Sequence, residues 1–288
     1  MDVLQWAIDP LGHSVPIHIA WFLIQVAFVS AVAFLIVHAA YIRFFAGEKQ
    51  WSGTNPPEVI AAIPERVPRH SLVARAFHWL MAASMLTLLF TAFLPKVGVE
   101  FDWVTLHWIA GTVLTASVVF HIIHASFWLD FWAIWPDKTD IVDATRRLRR
   151  FLGQAVPAPR RFAKYPLENK GFHGAIIAAG LSVIVTGVFM MFRVRTMFFT
   201  RDPYLFTDVT WGWMYVVHGF AGVGLIALVI IHVYFGLRPE KRPITKSMIF
   251  GWMSRDFVVK EHDPARWVVT PAPASSSTPE QTELRNVS

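Results

Sequence analysis

Two histidines, His218 and His232, lie fourteen residues apart in the apolar run VHGFAGVGLIALVIIHVYFG at 217–236. The same spacing separates His107 from His121 in LHWIAGTVLTASVVFHIIHA at 106–125. A third apolar run, HSLVARAFHWLMAASMLTLLF at 70–90, carries His78. Fourteen helical residues rise about 21 Å and turn about 1400°, close to four whole turns. Each fourteen-residue pair therefore shares one helix face and is divided between two depths. Ionisable side chains inside a membrane are costly and mark functional sites. Neutral imidazole is a good axial ligand for haem iron. Two imidazoles from different helices at one depth can clamp a flat macrocycle. Two such clamps about 20 Å apart along the helices would carry electrons across most of a bilayer.

Small residues accompany the histidines. Gly111 follows His107 by four in HWIAG, Gly222 follows His218 by four in HGFAG, and Gly236 stands in the same relation to His232. One turn along the same face, a missing side chain lets a porphyrin approach the backbone. Close helix–helix packing is the competing use of such glycines.

The elements that position these residues follow from composition. Of the 288 residues, 55% are hydrophobic and 16% charged, and the mean hydropathy is +0.44. Soluble domains carry about 25% charged residues, so the chain reads as a membrane protein. There is no cysteine, which excludes disulfides, thiolate metal sites, cysteine-held iron–sulfur clusters and covalent haem attachment within the chain. The net charge of +6 is better explained by orientation in a bilayer than by a nucleic-acid partner. The first sixteen residues hold Asp2 and Asp9 and no Lys or Arg, so no cleavable signal peptide is expected.

A helix crossing the hydrocarbon needs about 20 mostly apolar residues. Five stretches qualify, at 18–42, 72–94, 104–127, 172–192 and 213–236. Segments 43–75 and 128–171 and the chain after 237 hold 22 of the 26 basic residues. That alternation predicts an outer N-terminus and a cytoplasmic C-terminus. His107 and His218 then fall in an outer layer. His232 falls in an inner layer with two candidate partners, His78 (the preferred one) and His121. The thirteen tryptophans sit mostly near span ends, as an aromatic belt would. The expected fold is all-α: an integral membrane helical bundle, with a four-helix haem-binding core plus one additional N-terminal transmembrane helix. The domains read as residues 1–51, outer N-terminus and first helix; 52–71, a Pro-rich cytoplasmic linker; 72–268, the four-helix haem-binding domain; and 269–288, a disordered cytoplasmic tail rich in Pro, Ser and Thr. The segment KTDIVDATRRLRRFLG at 138–153 has the composition of an amphipathic surface helix and equally of a solvated basic loop.

Over residues 69–268 the chain resembles the cytochrome b (gamma) subunit of membrane-bound formate dehydrogenases and related quinone-reactive respiratory cytochromes b. The resemblance rests on RAFHW at 75–79, LHWIAG at 106–111, WPDKTDI at 135–141, KY and NKGF at 164–172, the run at 217–237, and MIFGWMSRDFVVKEHDPARW at 248–267. It implies two b-type haems, an outer one between His107 and His218 and an inner one between His78 and His232. In its pattern His121 is not a ligand, and its presence here leaves room for altered ligation or a third haem. The span at 18–42 is additional to the family core. The resemblance further implies an iron–sulfur subunit and a catalytic, molybdopterin-type subunit on the outer face of a bacterial inner membrane. Electrons would pass to the quinone pool, or run in reverse from quinol, within a complex open to higher-order assembly. The chain would be an electron-transfer subunit with at most a quinone half-reaction of its own.

Candidates for quinone contact are Tyr165, Asn169, Lys170 and His173 in KYPLENKGFH. Arg75, one turn before His78, is placed to pair with a haem propionate. The alternative within redox chemistry is a cytochrome b serving a respiratory hydrogenase or another molybdenum oxidoreductase. The alternative from another class is a membrane transporter of metal ions or protons lined by histidines.

Overall fold

The computed structural model describes residues 2–47, 50–264 and 266–267. The tail expected at 269–288, and residue 268 at the end of the expected four-helix domain, lie outside the described residues. The chain opens on a hairpin in which β1 (Leu4–Ile8) pairs antiparallel with β2 (Ser14–Ile19). Asp9 closes the turn by accepting from the backbone N–H of Leu11 at 2.9 Å and of His13 at 2.8 Å. Then come α1 (Phe22–Phe44), α2 (Pro57–Ala62), β3 (Arg66–Pro68), α3 (Leu72–Phe93) and α4 (Trp103–Trp128). The chain continues through α5 (Lys138–Phe151), α6 (Leu167–Met190), α7 (Asp208–Leu237), α8 (Arg242–Phe250), β4 (Trp252–Ser254) and α9 (Arg255–Glu261).

Five of these helices, α1, α3, α4, α6 and α7, are long and apolar enough to cross a membrane. They overlap the five expected spans with shifted starts: α1 begins at Phe22 rather than 18 because His18 and Ile19 belong to β2, α6 begins five residues before 172, and α7 begins five residues earlier than its apolar run at 213–236, where Thr207 caps it. The Thr207 hydroxyl accepts from the Thr210 N–H at 3.3 Å. Ser71 does the same for α3 and Asp102 for α4, so each of these spans starts on a side chain that satisfies an otherwise open backbone donor. Large apolar side chains such as Val37, Phe90, Phe120 and Val185 stay exposed around the bundle, as a lipid-facing surface requires. The buried positions of α3 and α4 are mostly small: Ala74, Ser84 and Thr91 on one, Ala110 and Ser117 with Leu114 on the other. Membrane helices approach closely through such residues.

Helix α3 packs on α4, α6 packs on α7, and α4 meets α6. The additional helix α1 lies against α7. Strand β2 also packs on α7, and two glycines make room for it. A Cβ on Gly212 would collide with the Pro16 carbonyl, and one on Gly219 would lie 3.1 Å from Ile19. This end of the bundle is called the hairpin end below.

At the opposite end the segment expected as a linker at 52–71 is built into the fold. β3 pairs antiparallel with β4, Val67 opposite Met253. Ile63 and Val67 share a buried apolar cluster with Met253, Val258 and Trp267. Gly251, at φ +89°, ends α8 and accepts from the backbone N–H of Arg69 and of His70 at 2.8 and 3.1 Å. A Cβ there would lie 2.9 Å from the His70 carbonyl. The region 138–153 forms the helix α5, started by a capping box between Asp137 and Asp140.

Candidate functional site

Each fourteen-residue histidine pair is divided between two levels of the bundle. At the hairpin end, His107 on α4 faces His218 on α7 with ring centres 6.2 Å apart. At the β3–β4 end, His78 on α3 faces His232 on α7 with ring centres 6.3 Å apart. An imidazole centre lies about 1.1 Å from its nitrogen and a nitrogen–metal bond is about 2.0–2.1 Å long. Two opposed ligands of one metal ion therefore place their ring centres about 6.3 Å apart. Both pairs stand at the ring-centre separation that two opposed imidazole ligands of one metal ion would have.

The two rings at the hairpin end are held by hydroxyls. His107 Nδ1 is 2.8 Å from Thr91 Oγ1 of α3, and His218 Nδ1 is 2.9 Å from Thr186 Oγ1 of α6. The rings at the other end are held by aromatic contacts instead. Phe172 stacks on His232 at 5.2 Å and 16°, and Trp79 stands edge-on to His78 at 5.4 Å. Beside His218, a Cβ added to Gly222 would meet nothing within 4 Å, whereas one on Gly111 would meet Leu88 at 3.8 Å. Open space one turn along from His218 suits a flat group lying against α7. A Cβ on Gly187 of α6 would lie 3.4 Å from the His218 ring, so this glycine lets the ring approach α6.

The His121 ring lies 4.6 Å from Phe77 and 6.4 Å from His173, and its Nδ1 is buried without a hydrogen-bond partner among the described residues. Arg75, one turn before His78, donates from Nη1 to the Ile249 carbonyl at 2.5 Å near the end of α8, where a cation is favoured by the helix dipole.

The four residues considered for quinone each have their own surroundings. Lys170 is buried, its ammonium 2.6 Å from Asp140 and 3.0 Å from the Trp135 carbonyl. Tyr165 offers its ring face to Arg69 at 5.6 Å. Asn169 is exposed. His173 is paired with His121 alone among the other imidazoles of the described residues. Around Lys170 stands a charged knot: Arg266 reaches Asp140 at 3.3 Å and Asp143 at 3.5 Å, and Arg160 reaches Asp143 at 3.0 Å. These bonds join α5, the start of α6 and the segment after α9.

Just before α3, His70 is half-buried and surrounded by cations. Burial, then Arg69 and Lys164, push its pKa from 6.5 down to about 3. Burial likewise lowers the pKa of Arg69. The Arg69 guanidinium meets Met253 Sδ at 2.9 Å and the Lys164 carbonyl at 3.4 Å.

Thr91 and Thr186 were not singled out by sequence reasoning. The usable signal is depth: Thr91 lies near the end of one span and His107 near the start of the next, so a short connection places them at one level. A model of the prokaryotic cytochrome b561 family matches residues 69–251, the stretch that contains all four facing histidines. No curated protein matches the chain.

Proposed function

The chain belongs to the prokaryotic cytochrome b561 family, membrane cytochromes b of electron transfer that bind b-type haem, and on that premise we propose that it holds two such haems, one per facing histidine pair. The observation that carries this reading is the pair of ring separations, 6.2 Å for His107 and His218 and 6.3 Å for His78 and His232. Bound haem supplies reversible one-electron transfer at two levels separated by about 21 Å of α7. The chain's own part is to present neutral imidazoles at fixed height, to leave open space at Gly222, and to surround the rings with apolar helix. Arg75 would meet a propionate through its Nε, which is buried and has no hydrogen-bond partner among the described residues.

The distribution of basic residues supports an outer hairpin end and a cytoplasmic β3–β4 end in a bacterial inner membrane. In that orientation the His107–His218 site receives electrons from an outer iron–sulfur subunit attached to a catalytic enzyme of the formate dehydrogenase kind. The His78–His232 site delivers them to quinone on the cytoplasmic side. His173 and His121, which face each other near that level, have imidazole nitrogens to offer a quinone carbonyl.

A pyridine haemochrome assay on the purified full chain tests the reading. About two haems b per chain are expected, and a colourless protein would overturn it. Co-purifying subunits test the partner separately, since a hydrogenase in place of a formate dehydrogenase would change the partner and leave the haem count intact.

A further inference from the structure

We infer that Thr91 and Thr186 are positioning residues that fix both imidazoles of the hairpin-end pair in the iron-binding tautomer and lower the potential of that site relative to its partner. The inference rests on the haem reading above and extends it to residues that touch no haem.

Each hydroxyl has one hydrogen, and the helix uses it. Thr91 Oγ1 donates to the Thr87 carbonyl at 2.8 Å, with the Leu88 carbonyl at 3.1 Å. Thr186 Oγ1 donates to the Ser182 carbonyl at 2.5 Å. A threonine whose hydrogen is committed in this way can only accept from a neighbour. The bonds to His107 and His218 therefore run from Nδ1–H to the hydroxyl oxygen. With the proton held on Nδ1, the lone pair of each ring sits on Nε2, the nitrogen left to bind a metal.

Both threonines are buried, at 3% and 9% exposure, so water does not compete for the bond. They come from α3 and α6, two helices that carry no ligand of this site, and approach opposite ligands of the same site. A hydrogen bond from a ligating imidazole to an acceptor orients the ring and raises its basicity. A more basic ligand favours ferric over ferrous iron. At the other end, among the described residues, His78 and His232 have aromatic neighbours and no hydroxyl acceptor. The two sites thus have the same ligands with different supporting groups, and supporting hydrogen bonds are a lever on haem potential.

The test is redox potentiometry with low-spin EPR on the full chain in detergent, comparing wild type with Thr91→Val, Thr186→Val and the matching Ser variants. Either Val variant is expected to change the ferric-to-ferrous preference of one haem by about tenfold. For a one-electron couple that raises its midpoint by about 59 mV. The second haem stays put, and Ser restores the wild-type value. Loss of one haem in a Val variant and retention of both in the Ser variant would carry the same conclusion. Unchanged potentials and EPR lines in both Val variants, equal shifts of both haems, or a Ser variant as shifted as Val would overturn it. Because the threonines serve opposite ligands of one site, either variant alone carries the test if the other does not accumulate. A wild-type chain without haem would instead sink the reading beneath, before any variant is compared.

Discussion

The ammonium of Lys170 lies 2.6 Å from the Asp140 carboxylate, with both side chains buried. The bond joins the first turn of α6 to the first turn of α5. Breaking a buried pair outright costs about 3–5 kcal/mol, and Asp140 keeps Arg266 as a second partner at 3.3 Å. Lys170→Met is therefore expected to lose part of that stability, read as a lowered thermal midpoint. The double variant with Asp140→Leu should recover part of the loss. An unchanged midpoint for Lys170→Met would show that the pair is dispensable.

His218→Ala is expected to remove one haem and spare the other, because His78 and His232 are untouched by the change. Of the two candidates for the second site, His78→Ala should abolish one low-spin signal and His121→Ala should leave both in place, as His121 faces His173 rather than His232. The reverse pattern would reassign the ligand.

The half-buried His70 sets a pH dependence. Its ordinary pKa of 6.5 applies in the unfolded chain, while the folded chain holds it down to about 3. The unfolded state therefore takes up a proton near pH 6.5 that the folded state refuses. The stability contributed is fully present above pH 6.5 and is lost as pH falls from there toward 3. Thermal unfolding between pH 7 and 5 should show a falling midpoint in the wild type and a flatter profile in His70→Gln. Parallel profiles would contradict the assignment.

Gly212→Val places a Cβ against the Pro16 carbonyl of β2. Overpacking of this kind costs about 1–3 kcal/mol, and here the strain falls on the hairpin. Limited proteolysis should cut between residues 9 and 21 faster in the variant than in the wild type. Equal cleavage rates would mean that the hairpin is not seated by this contact.

The histidine geometry was legible in the residues because helical rise is regular. Fourteen residues carry a side chain to the same face one bilayer level away, whatever else the helix does. The threonines were not legible, since a threonine in a membrane helix ordinarily bonds its own i−4 carbonyl, and only coordinates show that its oxygen also receives a histidine N–H. The run 52–71 read as linker because four of its residues are proline. Its place in the fold comes from Ile63 and Val67 meeting Met253 and Val258 nearly 200 residues later, a contact no local pattern encodes. Lys170 presented the same difficulty: a lysine at a span boundary marks topology, and its partner Asp140 lies thirty residues away. The hairpin was missed because its strands are five and six residues long and lie ahead of a span whose hydropathy dominates the region.

Helix α7 supplies one imidazole to each pair, whereas the opposite imidazoles come from separate helices, α4 and α3. The same helix bears the seated hairpin strand and the added helix α1. It is therefore the element common to both facing pairs and to the hairpin, so a change at the Gly212 or Gly219 contact with β2 acts on the helix that carries both His218 and His232.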